Sequence, residues 1–482
     1  MDLLARNTYG AAKFTNRGIG MASARGYLLI ASSIFALAGC QGVQLPDMKT
    51  INPLQSLTTK AVDEATGNAP ATTELPSLAD MIGTAGAKVN VDVGFKAATS
   101  VAINNDPQVI AAANELEARR ASVRLAASGK DFNFDATVLG GIEDVTDETA
   151  GIAAILKASR VMFDGGQLDA TLEAEEFAVK AAEAALEAAK NERGGRLVQA
   201  WIELERYRAL QGLIDSRLSV LEPLLLQLEK VAESGLGDIS QVASAQRTVS
   251  AIRVTQTDVT EKLAQAEVAF KNGFGTLPSS ASYNANIISK AVPKGDVKKL
   301  AETAPALLTA YYGYRSAEAN VAAVKTLENF NVAFEAKVQR PFADSTYDSD
   351  ESVGLVLTKK FYRGDQLNAR IENAEAAAAA QADRVRSTYR DGEQAINSAR
   401  KMIKSIDKAT QLALQNAQIT RDEIDYLRKQ LIIGGSTLES VLSAEAQLFD
   451  AEAKEIALIA ERRKAEVTIL SVTGKLGSAL NF

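Results

Sequence analysis

The sequence predicts a mainly α-helical protein with a pair of β-hairpins, built from one structural unit that occurs twice. Similar segments recur at an offset of 198 or 199 residues along the 482-residue chain. Each copy contains about 70 residues of helical periodicity and two short stretches in which apolar and polar residues alternate. A helix of that length extends ~100 Å, so we expect an elongated molecule.

Composition narrows the function before any motif is considered. The chain has no histidine and one cysteine, Cys40. A disulfide within the chain, a zinc site of cysteine and histidine ligands, and a catalytic histidine are therefore excluded. The formal net charge of −7 argues against nucleic acid as a partner, because phosphate binding requires a cationic surface. No spacing singles out a pair of carboxylates, so we expect neither an enzyme nor a cofactor or metal site.

Residues 1–39 have the organisation of a bacterial lipoprotein signal peptide. Basic residues precede an apolar run over 27–37, which is too short to span a bilayer. The run ends in Leu37-Ala38-Gly39-Cys40, which resembles the lipobox in which the cysteine is lipidated. We expect lipidation of Cys40, with an ordinary secretory signal as the alternative. Gln41 replaces the aspartate that retains many lipoproteins at the inner membrane, so the resemblance implies sorting to the outer membrane.

Residues 40–91 are predicted to form an extended N-terminal strap. Four of the ten prolines fall in this stretch, among Thr, Ser, Asn and Gly: Pro46, Pro53, Pro70 and Pro76. This composition is typical of an extended or disordered segment. A tether between the lipid anchor and the folded body is one use for the strap, and disorder alone is equally compatible.

The folded body is predicted to consist of two copies of one unit, 92–290 and 291–482. Four pairs of segments recur in the same order: Asp106-Pro107 with Ala304-Pro305, Phe132-Asn133 with Phe330-Asn331, 163–168 with 362–367, and 235–245 with 434–444. Each unit reads as a helix, two strands, a very long helix, a tight turn and another helix. In the first unit, Asp106 is placed to cap a helix that begins at Pro107 and ends at Gly129.

The long helices are predicted over about 165–234 and 364–433, and both have coiled-coil patterns. The second carries apolar or small residues at alternating steps of four and three from Ile406 to Leu431, and the first does so from Ile214 to Leu228. Pro223 is expected to kink the first helix. Dense alanine in both helices favours close neighbours on more than one side, as in a wall of helices; a plain coiled-coil dimer is the alternative.

The alternating stretches predict four strands, at about 131–139, 152–163, 330–340 and 352–362. Each is long enough to cross a bilayer when tilted, and acidic residues occupy both connecting loops. In the second unit one apolar face is clearest, and we expect it to face lipid: Val332, Phe334, Val338, Val353, Leu355 and Leu357. Hairpins packed on a soluble core are the alternative, although helices ~100 Å long leave no such core at their ends.

Four strands cannot close into a membrane barrel by themselves. The smallest membrane barrels have about eight strands, and lipid does not tolerate an open sheet edge. The sequence therefore predicts an oligomer. A dimer would supply about 8 strands and a trimer about 12, and only the wider ring leaves a usable lumen.

This organisation resembles the TolC family of outer-membrane efflux and secretion channels over residues 92–482. The most specific matching segments are the two turns at 234–239 and 433–438, with the segments that follow them. The six-residue motifs at 163–168 and 362–367 also match. The resemblance implies a homotrimer with a 12-stranded barrel in outer-membrane lipid and a 12-helix tunnel across the periplasm. It also implies a periplasmic adaptor and an inner-membrane pump as partners, in a tripartite efflux pump or a type I secretion system.

The resemblance assigns roles to residues near the two turns. The adaptor-docking turns are Gly235, Leu236, Gly237, Asp238, Gly434, Gly435, Ser436 and Thr437. Well-studied members close the tunnel tip with a ring of aspartates and a link among Asp, Tyr and Arg side chains. Here the corresponding gate candidates are Gln241, Leu431, Ser436, Ser440 and Ser443. None can form those ion pairs. Two alternatives follow: hydrogen bonds and packing close the tip, or the resting tip is looser.

Two classes of function follow from the sequence. The first is a passive export duct through the outer membrane. The alternative is a lipid-anchored periplasmic coiled-coil protein, structural or adaptor-like, without a pore. The alternating strands distinguish the two classes, because a rod without a pore has no need of a sheet with one apolar face.

Overall fold

The computed structural model describes residue 78 and residues 89–144, 149–235, 238–279, 283–342, 345–359 and 365–482. The predicted signal peptide, Cys40 and almost all of the strap lie outside the described residues. Leu236 and Gly237 of the first turn lie outside them as well.

The two units share one order of elements. The first unit contains α1 (Phe95–Asn104), α2 (Pro107–Ser128), β1 (Asn133–Asp144), β2 (Thr149–Phe163), α3 (Gln167–Glu233) and α4 (Ile239–Phe274). The short helix α5 (Ala285–Ala291) lies at the predicted boundary between the units. The second unit contains α6 (Val297–Glu302), α7 (Pro305–Lys325), β3 (Asn331–Phe342), β4 (Asp350–Thr358), α8 (Gln366–Ile432), α9 (Leu438–Val472) and α10 (Leu476–Leu480). The predicted repeat and its pair of hairpins are thus confirmed.

The helix boundaries have the local chemistry that the sequence indicates. Asp106 Oδ1 accepts a hydrogen bond from the backbone N–H of Gln108 at 3.0 Å, and Pro107 occupies the first turn of α2. Pro223 lies inside α3, and the helix continues on both sides of it. The four short helices α1, α5, α6 and α10 were not predicted, because each is too short to show a clear period.

The four strands form one antiparallel sheet in the order β1-β2-β3-β4. The strand β2 joins the two units, since Leu156 pairs with Val338 of β3. The last strand, β4, begins at Asp350, and its last paired residue is Thr358, which is aligned with Asn331, the first residue of β3. Residues 360–362 of the predicted strand 352–362 lie outside the described residues.

The helices form one layer in which α3 and α8 run the full length. Beside the first half of α3 lies α2, joined to it by the Arg120–Glu183 ion pair at 3.2 Å. Beside the second half lies α4, joined to it by Arg253–Glu222 at 2.7 Å. In the same way α7 and α9 occupy successive parts of the space between α3 and α8. The layer therefore has the order α2-α3-α7-α8 near the sheet and α4-α3-α9-α8 near the turns.

The main core lies at the junction of these two halves. The single tryptophan, Trp201, is 1% exposed, and its ring packs edge-on against Phe270 and Phe274 at centroid distances of 4.8 and 5.6 Å. Buried Asn191 of α3 accepts hydrogen bonds through Oδ1 from the N–H groups of Leu476 and Gly477, at 3.1 and 3.2 Å. These contacts fix α10 and α4 against the middle of α3.

Candidate functional site

The sheet has one continuous apolar face that includes every residue predicted to face lipid. The register aligns Val332 with Leu357 and Phe334 with Leu355. The first unit contributes the same face through exposed side chains of β1 and β2: Phe134, Val138, Ile152 and Leu156. Leu355 is 68% exposed and Phe134 is 71% exposed. Apolar surface of this extent requires a covering that the described chain does not supply.

The opposite face of the sheet is polar and carries paired charges. Asp135, Lys157 and Lys337 align in one row across β1, β2 and β3. Lys157 forms an ion pair with Glu335 at 3.1 Å, and Lys337 forms one with Asp350 at 3.3 Å. The two faces therefore differ sharply in polarity, as expected for a sheet with lipid on one side and water on the other.

Two arginines stand on the apolar face, and sequence reasoning missed both. The Arg160 guanidinium lies 5.2 Å from the centre of the Phe132 ring, and its Nε donates to the carbonyl oxygen of Lys130 at 3.0 Å. Arg340 forms an ion pair with Glu351 near the opposite end of the strands. The two arginines flank the middle of the face, where long cationic side chains can reach a polar boundary.

In both turns at the far end of the helices, the described glycines and cap residues have the expected geometry. Gly235 and Gly434 adopt φ values of 78° and 76°, which are accessible to glycine at low cost. Asp238 Oδ1 accepts from the N–H of Ser240 at 2.8 Å, and Thr437 Oγ1 accepts from the N–H of Ser440 at 3.1 Å. The hydrogen bonds from Ser240 lower the pKa of Asp238. Each cap satisfies a backbone donor at the start of α4 or α9.

The gate candidates do not form a connected set within one chain. Ser440 shares a hydrogen bond with the adjacent cap at Thr437, and Ser436 Oγ donates to the carbonyl oxygen of Leu427 at 2.8 Å. Gln241 and Leu431 are half-buried, while Ser443 is exposed. In the described part of the chain, no side-chain hydrogen bond links Gln241 to the serines near the second turn.

An ion network built around the buried Glu445 lies near the turns, and sequence reasoning missed it. Arg217 of α3 contacts Glu445 and Glu452 of α9, both at 2.6 Å. Arg428 and Arg421 of α8 contact the same two glutamates at 2.7 and 2.8 Å. Burial disfavours ionised Glu452, but hydrogen bonds from Arg217 and Arg421 outweigh it and lower its pKa. Ion pairs thus hold together α3 of the first unit with α8 and α9 of the second. The seven-residue spacing of Arg421 and Arg428 could have suggested this network.

The described residues contain neither a group of acidic or cysteine side chains suited to a metal ion nor a helix long and apolar enough to cross a membrane.

Comparison with known proteins identifies the family. The model of the outer membrane efflux protein family matches residues 98–276 and 297–475, one match for each unit. The chain belongs to this family. Its members are transport ducts, and the chain is accordingly a transport protein rather than an enzyme. No match is found among curated proteins.

Solved outer-membrane channels share the fold at low sequence identity. CusC is 18% identical with a TM-score of 0.69, covering 80% of this chain and 92% of its own. The outer membrane protein VceC of Vibrio cholerae is 16% identical with a TM-score of 0.68, covering 78% and 95%. The MtrE outer membrane channel of Neisseria gonorrhoeae is 14% identical with a TM-score of 0.66, covering 79% and 88%. These likenesses confirm the predicted TolC-like fold.

Proposed function

We propose that three copies of this chain form an export duct, with a 12-stranded barrel in the outer membrane and a helical tunnel in the periplasm. The observation that carries this proposal is the sheet. It has one exposed apolar face, one charged face and two outer strands, β1 and β4, that each pair on one side only. In lipid, such edges must be paired with further strands.

The arrangement of the helices also supports a ring in which the copies that pair with the sheet edges also cover the edges of the helical layer. In the described layer, α8 forms one edge, while α2 and α4 form the other. The sheet edges β4 and β1 belong to these same two sides. A neighbouring copy related by rotation would thus complete both the sheet and the helical layer, which is the behaviour of a cyclic assembly.

The alternative of a lipid-anchored rod without a pore leaves the sheet unexplained. A rod would expose Val353, Leu355 and Leu357 to water, where large apolar patches favour aggregation. A duct covers them with lipid, and it keeps Lys157 and Lys337 in a water-filled lumen. We expect Cys40 to carry the lipid that holds the N-terminal strap at the same membrane.

The turns are proposed to dock a periplasmic adaptor fed by an inner-membrane pump, in tripartite efflux or type I secretion. They lie at the end of the helices opposite the sheet, and Gly434 and Gly435 leave the backbone exposed. A Cβ at Gly435 would clash with the flexible end of the Gln430 side chain and would be in ordinary contact with its backbone oxygen at 3.6 Å, so Gly435→Trp should fold. We expect this variant to assemble normally yet lose export and adaptor crosslinking; normal export would remove the docking role.

The trimer is tested by measuring mass. We expect analytical ultracentrifugation of the full chain in detergent to give three copies per particle, because four spanning strands per chain leave two edges to be paired. A stable monomer or dimer would contradict the proposal.

A further inference from the structure

The connection between β3 and β4 folds over the charged face of the sheet, at the end away from the helices. Residues 345–349 are the part of this connection that the structure describes before β4 begins, and we call them the exit segment. Gln339 lies on the same face as Lys337, because side chains alternate along β3. Its Nε2 donates to the backbone oxygen of Asp348 at 3.2 Å. This hydrogen bond holds one end of the exit segment on the charged face.

A close backbone contact holds the other end of the exit segment over β2. Gly151 of β2 has a φ of 126°, and a Cβ there would lie 2.5 Å from Cα of Ser345. A side chain at position 151 would therefore collide with the backbone of the exit segment. Glycine within a strand can mark such a close approach of another backbone. The exit segment thus crosses from β3 to β2 before the chain enters β4.

The row of side chains beneath the exit segment is apolar and covered. Ala153 is 0% exposed, whereas Ala154 and Ala158, on the opposite face of the same strand, are half-buried. Tyr347, at the centre of the exit segment, is 7% exposed although it lies in a connection at the end of the molecule. The burial of both residues indicates that Tyr347 covers this row. The register aligns the row as follows: Leu139, Ala153 and Pro341.

The proposed barrel is narrow enough for the exit segments to restrict its outer mouth. Twelve strands spaced ~4.8 Å apart and tilted ~40° give a ring with a backbone diameter of about 24 Å. A layer of chain packed face to face on a sheet lies ~10 Å from it. One exit segment from each copy, related by rotation, therefore leaves only a narrow passage at the centre of the ring.

We infer that the exit segment, centred on Tyr347, narrows the outer mouth of the duct and limits its cargo to small solutes. Its role rests on the proposed duct and deepens it, because it names the class of cargo. Tripartite efflux and type I secretion differ in what must pass the mouth, a small molecule or a polypeptide. A mouth restricted in this way favours the small molecule.

Labelling of a cysteine in the lumen of intact cells tests the size limit. Ser159→Cys places a reporter on the charged face of β2, opposite Glu335 and ~20 Å along the strand from Ala153. Two reagents would be added outside the cells: a small maleimide, and a maleimide on a long polyethylene glycol chain as a substitute for a polypeptide. We expect the small reagent to label the reporter and the polymer to label it poorly.

Removal of the tyrosine ring should open the mouth to the polymer. We expect Tyr347→Ala to raise polymer labelling of Ser159→Cys several-fold, with labelling by the small reagent unchanged. The matched control is Ser349→Ala, at an exposed position of the same segment, which should not change labelling by the polymer. The chain without the reporter supplies the background from Cys40.

Protection of the covered row gives a second measurement in which Tyr347 is intact. Ala153→Cys should react with the small maleimide much more slowly than Ser159→Cys, because the exit segment covers Ala153. The size limit is overturned if the polymer labels Ser159→Cys as fast with Tyr347 as with Tyr347→Ala, or if the two cysteine variants react equally. If even the small reagent fails to label Ser159→Cys from outside, the proposed duct itself is overturned.

Discussion

The two helical hairpins near the turns, α3–α4 and α8–α9, have side-chain contacts at the same equivalent positions. The acidic partner lies on the first helix in α3–α4 and on the second helix in α8–α9. Glu222 pairs with Arg253 at 2.7 Å in the first, and at positions offset by 199 Arg421 pairs with Glu452 at 2.8 Å in the second. Seven residues nearer the turn along α3, Glu229 accepts a hydrogen bond from Gln246 at 2.9 Å. The equivalent contact in the second hairpin is the ion pair Arg428–Glu445 at 2.7 Å.

The placement of the acidic residues on α9 explains how the second unit binds the first. Placing the acids on α9 brings Glu445 and Glu452 within reach of Arg217 on α3. With the polarity of the first hairpin, an arginine at 452 would meet Arg217 instead. Among the residues that the structure describes, the first hairpin has no such third partner, and its pair is half exposed. The contacts of the first hairpin thus join only its own two helices, while those of the second hairpin also bind α3 of the first.

The largest effect is expected where the second hairpin is most buried. Glu445→Gln removes the counter-charge of Arg428 and one of the two counter-charges of Arg217. Removal of one member of a fully buried pair costs about 3–5 kcal/mol, which is the upper bound here because Arg428 is half exposed and Arg217 keeps Glu452. We expect a clearly lower thermal midpoint for the detergent-solubilised trimer. The equivalent position of the first hairpin supplies the control, Gln246→Ala, which should change the midpoint little. Equal effects would mean that the third partner contributes nothing.

At the sheet, by contrast, the two units present the same apolar face, and the prediction is symmetrical. Leu355→Lys in the second unit and Phe134→Lys in the first should each impair membrane assembly, because a lysine at the lipid midplane costs about 2–4 kcal/mol. Val356→Lys, on the opposite face, is the matched control. Heat-modifiable trimer on gels is the readout, and equal tolerance of Leu355→Lys and Val356→Lys would contradict a lipid-facing sheet.

The smallest effect is expected from exchanging the exposed pair. The double variant Glu222→Arg with Arg253→Glu gives the first hairpin the polarity of the second, and we expect a change of about 1 kcal/mol or less, as for other surface pairs. The same exchange in the second hairpin, Arg421→Glu with Glu452→Arg, places a cation against Arg217 and should be far less stable. Similar unfolding midpoints for the two exchanges would remove the distinction between the hairpins.

The elements with a strong local period could be predicted from the sequence. Helical periodicity located α3 and α8 to within a few residues, and alternation indicated four strands with one apolar face; that this face meets lipid stays a prediction. The ion network could not be predicted, because Arg217 and Glu445 meet only when α9 packs on α3. The Gly194-Gly195 pair inside α3 does mark a close contact: a Cβ at Gly194 would lie 3.1 Å from the Leu476 side chain, and a Cβ at Gly195 would clash with the Ser471 hydroxyl. Glycines within a helix can mark such close contacts.

The central claim is that the sheet separates lipid from a water-filled lumen, and spin labelling of β4 tests it most directly. Single cysteines from Ser352 to Leu357, labelled in membranes, would be compared for collision with oxygen and with a water-soluble nickel complex. We expect oxygen accessibility to peak at Val353, Leu355 and Leu357 and nickel accessibility to peak at the residues between them, because side chains alternate between faces along a strand. The same accessibility at successive residues, with no two-residue period, would contradict the account.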